Sequence, residues 1–207
     1  MLKLYYLSGS CALVPHTALY WANAEFKATA MTRDSIKSPE YLAINPNGNV
    51  PLLTDGDWSL SQNVAIVEYI NALYPQAKIF GSGNAQSQAK ARQWLSFANS
   101  DIHGKFSLVF GAARLLPNAD ETTQNTVKQA GIQAVLDLYV RADKTLSNQD
   151  YLTGNEITIA DVYVYVTQRW AHGLDIDLNH LPNLNAHFER VAQNNGVQAA
   201  LKAQGVL

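Results

Sequence analysis

Short apolar runs and alternating positions in the first part of the chain predict a small domain of mixed strands and helices. Strand-like runs cover residues 2–7, 26–31, 52–54 and 58–60. Helical spacing of apolar residues, or a short capped segment, covers residues 14–22, 38–45 and 62–73. The order β-α-β-α-β-β-α predicts an α/β domain with a mixed sheet over residues 1–80.

Beyond a glycine-rich break at residues 80–84, the strand patterns vanish. Helical patterns then cover residues 85–111, 119–146, 159–172, 182–194 and 197–204. Thr158 and Asp161 have the spacing of a capping box at the start of one of these helices. The pattern predicts a second, all-α domain over residues 85–207.

Composition and charge narrow the classes of function. The 207 residues are 47% apolar and 15% charged, and the net charge is −2, with no basic stripe. This argues against nucleic acid or an anionic membrane as the main partner. One cysteine excludes a disulfide framework, and the five histidines form no metal-binding motif. We expect a cytoplasmic globular protein without a metal.

Cys11 is the first candidate for chemistry because of its place in the chain. It follows the first predicted strand and a Ser8-Gly9-Ser10 turn, and a predicted helix begins just after it. The dipole and the N–H groups at a helix start favour a thiolate, either that of the cysteine or that of a ligand. A lone cysteine is also often an inert, buried small hydrophobe, so both interpretations stay open.

Val50-Pro51 stands directly before the third predicted strand. Proline cannot donate to a strand ladder and therefore marks a sheet edge or a special turn. We predict a cis bond that turns the Val50 N–H and C=O outward to an extended peptide. An ordinary trans turn is the alternative.

Ser61, Gln62 and Asn63 stand at the start of the third predicted helix of the α/β domain. Ser61 suits the N-cap position, and the N–H groups that follow it suit a carboxylate. Capping alone needs no ligand, so the site again has two interpretations.

Ser96, Ser100, His103 and Ser107 follow the spacing i, i+4, i+7 and i+11, which places them on one narrow stripe of a regular helix. Solvent-facing stripes usually carry lysine and glutamate, so this stripe predicts the wall of a polar cleft. In the alternative interpretation, the serine hydroxyls bond back to carbonyls of their own helix.

Several segments together resemble cytosolic glutathione S-transferases, and the chain is most similar to the bacterial beta class. Those segments are KLYYLSGSCALVPH (3–16), YLAINPNGNVPLL (41–53), LSQNVAIVEYI (60–70), DIHGKFSLVF (101–110) and TIADVYVY (158–165). The resemblance covers nearly the whole chain. It implies a thioredoxin-like N-terminal domain, an all-helical C-terminal domain, a homodimer, and glutathione (γ-Glu-Cys-Gly) as substrate.

The resemblance also implies roles for residues of the first domain. Cys11 matches the beta-class cysteine that lies beside the glutathione sulfur. Val50, before Pro51, matches the residue whose backbone pairs with the cysteinyl unit of glutathione. Gln62 and Asn63 match the pair that holds the γ-glutamyl end.

In the second domain, two groups of positions match. Ser96, Ser100 and His103 match glutathione contacts on the first long helix. Phe106 and Trp170 match positions near the pocket for a hydrophobic co-substrate.

The chain also departs from the family pattern. Gln62-Asn63 stands where the family usually has Glu-Gly or Glu-Ser, so an amide replaces the charged partner of the γ-glutamyl ammonium. His-Lys-Gly becomes His103-Gly104-Lys105, which makes Lys105 the basic candidate there. The basic contact after the second strand has two candidates, Arg33 and Lys37, of which Lys37 is preferred.

These matches imply a detoxifying transferase that conjugates glutathione to small electrophilic or hydrophobic compounds, with Cys11 also able to exchange with disulfides. We expect His103 to position and polarise through hydrogen bonds rather than to serve as an obligatory base. The alternative is a non-catalytic binding or stress-regulatory protein on the same fold, which the presence of Cys11, Ser100 and His103 disfavours.

Overall fold

The computed structural model describes residues 1–207, which form two compact units. Unit 1 consists of residues 1–82 together with residues 191–207, and unit 2 consists of residues 83–190. The sequence pattern placed residues 191–207 in the helical domain, whereas the contacts group them with unit 1. The α/β part followed by a helical part is confirmed.

Unit 1 contains a four-stranded mixed sheet with helices. Its strands are β1 (Leu2–Tyr6), β2 (Phe26–Ala30), β3 (Leu52–Asp55) and β4 (Trp58–Ser61). Its helices are α1 (Leu13–Trp21), α2 (Pro39–Ile44), α3 (Asn63–Leu73) and the C-terminal α9 (Asn195–Gln204). The predicted order of strands and helices is confirmed, and two short 3-10 turns, Ser35–Lys37 and Pro75–Ala77, were not predicted.

The strand order is β2-β1-β3-β4, with β1 parallel to β2 and the other pairs antiparallel. Burial alternates along β1, so that Leu4 lies fully buried between Ala28 and Leu53 of the neighbouring strands. This alternation fixes the register, because a slip of one residue would expose the apolar set.

Unit 2 is helical. Its helices are α4 (Ala85–Ser96), α5 (His103–Leu115), α6 (Glu121–Leu146), α7 (Ile159–Gly173) and α8 (Pro182–Ala192), whose last two residues belong to unit 1. The single helix predicted over residues 85–111 is wrong in one respect, because a π-helical segment, Phe97–Ile102, separates α4 from α5. None of the helices is both long and apolar enough to cross a membrane.

A buried carboxylate fixes the start of α7. The N–H and the hydroxyl of Thr158 each donate to Asp161 Oδ2 at 2.8 Å, which confirms the predicted capping box. Asp161 Oδ1 accepts from Leu152 N at 2.8 Å and lies 3.0 Å from His187 Nε2. The Asp161 and His187 side chains are both fully buried, so they depend on these bonds. Through them the carboxylate joins the loop before α7, the first turn of α7 and α8.

The C-terminal helix α9 holds the turn that follows β1. Gln204 Oε1 accepts from Gly9 N at 3.0 Å, and the Gln204 carbonyl accepts from Ser8 Oγ at 2.9 Å. The Gln204 Nε2 amide donates to Nδ1 of the buried His16 at 3.1 Å. One amide side chain therefore connects this turn with α1, a role that the sequence pattern did not predict.

His16 lies fully buried on α1 among aromatic rings. Its ring centroid is 5.4 Å from that of Tyr6, 5.4 Å from that of Tyr20 and 5.5 Å from that of Phe26. Burial removes the hydration of the imidazolium and lowers the pKa of His16 from 6.5 to about 4. Between these two values, the unfolded chain binds a proton that the folded chain does not bind.

We therefore expect the free energy of unfolding to decrease as the pH falls through this window. The difference between the two pKa values corresponds to about 3 kcal/mol of unfolding free energy. This contribution is fully present above the unfolded pKa and is lost by about pH 4. Urea unfolding of the wild type and of His16→Asn is measured at about pH 7 and about pH 4.5. The other titrating groups are common to both proteins, so the difference between the two pH dependences reports on His16. The asparagine keeps an acceptor for Gln204 but does not titrate. An equal pH dependence in both proteins would contradict the assignment.

Gln204→Ala removes the partners of two groups in the same region, the Gly9 N–H and His16 Nδ1. We expect a loss of about 2–4 kcal/mol of unfolding free energy. Leaving the buried His16 Nδ1 unsatisfied costs about 1–3 kcal/mol, and the lost bond to the partly buried Gly9 N–H costs about 1 kcal/mol more. Lys202→Ala, at an exposed position of the same helix, is the control and should cost less than about 0.5 kcal/mol. Similar losses in the two variants would show that the bridge does not stabilise unit 1.

Candidate functional site

Cys11 lies in unit 1 on the turn between β1 and α1. Gly9 has φ +72°, a conformation that glycine adopts without strain, and Ser10 Oγ donates to Leu7 O at 2.7 Å. Cys11 is 8% exposed, and its Sγ lies 4.0 Å from the carbonyl oxygen of Val50. The fold thus brings together two residues that the sequence placed far apart.

The N–H groups at the start of α1 already have acceptors. Ala12 N donates to Ser10 Oγ at 3.2 Å, Leu13 N to Ser10 O at 3.1 Å, and Val14 N to Cys11 O at 3.1 Å. These three N–H groups are therefore used within the protein rather than by a thiolate. The dipole of α1 still favours a negative charge at this point.

The Val50–Pro51 peptide bond is cis, as predicted. The segment before it is held by side chains that the sequence pattern did not single out. Tyr41 Oη and Asn45 Nδ2 both donate to the carbonyl of Asn49 at 2.7 Å. Tyr41 and Asn45 are buried, so this carbonyl has its acceptor positions filled and the backbone next to Val50 is fixed.

Lys37 lies beside the same segment. Its Nζ donates to Gly48 O at 2.7 Å, two residues before Val50. Arg33, the other basic candidate, lies on an exposed turn closed by reciprocal bonds between Thr32 and Ser35. The structure therefore brings Lys37 to the Val50 segment.

The start of α3 differs from the expectation that Ser61 caps it. Ser61 ends β4, Gln62 is the N-cap residue, and the helix begins at Asn63. Gln62 makes no side-chain capping bond, has φ +77° and is exposed, whereas Asn63 is buried. Because the Gln62 amide is not used for capping, it is available to a ligand.

In unit 2, the predicted stripe is interrupted by the π-helical segment. Ser96, Ser100 and Ser107 are exposed and His103 is half-buried. Ser100 Oγ lies 2.6 Å from Ser96 O, and Ser107 Oγ donates to Gly104 O at 2.6 Å. These two hydroxyls thus follow the alternative interpretation of back-bonded serines.

His103 has a partner on another helix of unit 2. Its Nδ1 lies 2.9 Å from the Tyr163 hydroxyl, and that hydroxyl donates to Asn99 Oδ1 at 2.8 Å. The indole ring of Trp170 meets the imidazole edge-on, with the centroids 4.8 Å apart. Burial lowers the pKa of His103, so the neutral ring is favoured.

An aromatic cluster follows His103 along α5. Phe106 is fully buried, and its ring stacks on Phe110, with centroids 5.5 Å apart, and meets Trp170 at 5.3 Å. Phe110, which was not among the predicted residues, is 58% exposed. The accessible ring of this cluster on α5 is therefore Phe110 rather than Phe106. Lys105 is exposed.

Two family models match most of the chain. A model of the glutathione S-transferase N-terminal domain matches residues 1–72, and one of the C-terminal domain matches residues 102–195. Glutathione S-transferase GST-4.5 of Xanthomonas campestris is 39% identical over 99% of this chain and 100% of its own length.

Two solved bacterial structures have the same fold. A glutathione S-transferase from Xylella fastidiosa matches with a TM-score of 0.94 and 38% identity over 100% of both chains. A sphingomonad glutathione S-transferase complexed with glutathione matches with a TM-score of 0.84 and 31% identity, over 99% of this chain and 100% of its own. The chain belongs to the glutathione S-transferase family of enzymes.

Proposed function

We propose that this protein conjugates glutathione to small, hydrophobic electrophiles. The observation that carries the proposal is the approach of Cys11 Sγ to the Val50 carbonyl at 4.0 Å in a unit that matches the family's N-terminal domain. The neighbour with bound glutathione, similar over nearly the whole chain, supports glutathione as the substrate.

Several residues of unit 1 support this proposal. We propose that the Val50 backbone pairs with the cysteinyl unit, which leaves the substrate sulfur beside Cys11. The exposed Gln62 amide and Asn63, at the start of α3, take the γ-glutamyl end, where an α-carboxylate benefits from the helix dipole. Lys37 supplies a cation beside the Val50 segment.

From unit 2 we propose Ser96, Ser100, His103 and Lys105 as further glutathione contacts. For the co-substrate, we propose the aromatic cluster of Phe106, Phe110 and Trp170, with the exposed Phe110 ring as the contact surface on α5. Aromatic faces favour planar apolar molecules, because ring stacking adds to the burial of apolar area.

In the proposed reaction, the glutathione thiol loses its proton to solvent water and the thiolate attacks an electrophilic carbon of the co-substrate. An S–C bond forms. In a substitution the bond between the carbon and the leaving group breaks, and its electron pair departs with the leaving group. In an addition the electron pair of a π bond moves onto the co-substrate, which then takes up a proton from water. A second proposed activity is thiol–disulfide exchange, in which the Cys11 thiolate attacks a disulfide and releases one of its sulfurs as a thiolate. The homodimer that the resemblance implies and the cytoplasmic location expected from the sequence composition both stay predictions.

The two proposed activities require different sulfur atoms, which a pair of variants separates. We expect Cys11→Ala to keep much of the aryl-conjugating activity, because the nucleophile is the glutathione sulfur, and to lose mixed-disulfide exchange, which needs a protein sulfur. His103→Ala should weaken glutathione binding roughly five- to a hundredfold, since one hydrogen bond contributes about 1–3 kcal/mol. Steady-state kinetics with varied glutathione measure both effects.

His180→Ala, at an exposed histidine of unit 2, is the matched control and should behave as the wild type. An inactive Cys11→Ala enzyme with normal glutathione affinity would make Cys11 an obligatory catalytic group and contradict this division. Failure of the wild type to bind a glutathione column, together with no conjugating activity, would instead favour the non-catalytic alternative.

A further inference from the structure

The hydrogen bonds around His103 form a chain with a defined direction. Asn99 lies on the π-helical segment, His103 begins α5, and both side chains contact the hydroxyl of Tyr163 on α7. The Tyr163 side chain is fully buried, so this hydroxyl depends on its protein partners.

The direction follows from the number of protons. A phenol hydroxyl has one proton, and Tyr163 donates it to Asn99 Oδ1, an oxygen that can only accept. Toward His103 the same hydroxyl can therefore only accept, so the imidazole Nδ1 must carry a hydrogen. In the neutral ring, which burial favours, Nε2 then has a free lone pair and no hydrogen.

We propose that Asn99 and Tyr163 are positioning residues that hold His103 in the Nδ1–H tautomer, so that Nε2 accepts a hydrogen bond from glutathione. The donors that glutathione offers are its ammonium, its two amide N–H groups and its thiol. Its carboxylates and its thiolate cannot bond to an unprotonated Nε2. The part that concerns glutathione rests on the proposed function.

The ring is also fixed in orientation. The Trp170 indole meets the imidazole edge-on. The Tyr163 ring also makes an edge contact with the imidazole, with the two centroids 6.0 Å apart and the ring planes inclined at 60°. Asn99 and His103 are four residues apart, so one turn of helix brings both to the same hydroxyl. A turn of π-helix at this point accords with the frequent occurrence of such turns at functional sites.

The tautomer can be measured without any ligand. Long-range ¹H–¹⁵N correlation spectra of the ¹⁵N-labelled protein at about pH 7.5, where an unperturbed histidine is neutral, distinguish a protonated ring nitrogen from an unprotonated one. We expect His103 of the wild type to show a protonated Nδ1 and an unprotonated Nε2. A protonated Nε2 in the wild type would overturn the inference.

Variants of Asn99 test the direction of the chain. In Asn99→Leu the Tyr163 hydroxyl loses the acceptor at residue 99 and can turn its proton toward His103, so we expect the tautomer to change to Nε2–H. Asn99→Asp keeps an acceptor and should keep the wild-type tautomer. Tyr163→Phe should give a mixture of the two neutral His103 tautomers. The control is Tyr165→Phe, which changes a buried tyrosine on the same helix and should leave the tautomer unchanged. An unchanged tautomer in folded Asn99→Leu would refute the role of Asn99.

Titration calorimetry with glutathione then tests the consequence for binding. We expect Asn99→Leu to weaken glutathione binding about fivefold. Tyr163→Phe should weaken it by a smaller factor, because part of that protein keeps the Nδ1–H tautomer, and Tyr165→Phe should leave it unchanged. If the wild type shows the expected tautomer but does not bind glutathione, the proposed function fails and the tautomer assignment stands. If it binds glutathione with the Nε2–H tautomer, the inference fails and the proposed function stands.

Discussion

The buried Asp161 carboxylate is the interaction on which the helical unit most depends. Two oxygens receive bonds from Leu152 N, from the N–H and hydroxyl of Thr158, and from His187 Nε2, all at 2.8–3.0 Å. A carboxylate without solvent is tolerated only when such donors surround it, and the loss of one partner leaves an uncompensated buried group. Because these bonds set the first turn of α7, they also set where Tyr163, two residues later, presents its hydroxyl to His103.

In unit 1, polar side chains perform a similar task for the two loops that carry Cys11 and Val50. Gln204 holds the turn before Cys11 at Gly9 N, and Asn45 shares with Tyr41 the carbonyl next to Val50. Loops carry binding residues but lack the ladder of hydrogen bonds that fixes a strand or helix. Buried amide and phenol groups supply that restraint here, with donors and acceptors that match the loop backbone.

Periodicity predicted the four strands and nearly all helices, because apolar residues at fixed spacing record which face is buried. The capping box of Thr158 and Asp161 was likewise predicted, since its two residues are three apart in the chain. The π-helical segment Phe97–Ile102 was not predicted, because six residues with wider turns barely alter an apolar pattern. Gln204 and Tyr163 were missed for another reason: their partners lie 195 and 60 residues away, and no local pattern records such pairs. The resemblance, not the spacing, pointed to most of the candidate glutathione contacts.

The geometry also limits how a thiolate is stabilised. The N–H groups of Ala12, Leu13 and Val14 are bonded within the turn that precedes α1 or at its first residues. The dipole of α1 then remains as the contribution from the helix start, worth about 0.3–1 kcal/mol, or up to about 2 kcal/mol in a partly buried geometry. At a helix start, this dipole favours the ionised form of a nearby thiol. In the proposed reaction, holding the sulfur and the electrophile in position therefore contributes alongside ionisation of the thiol.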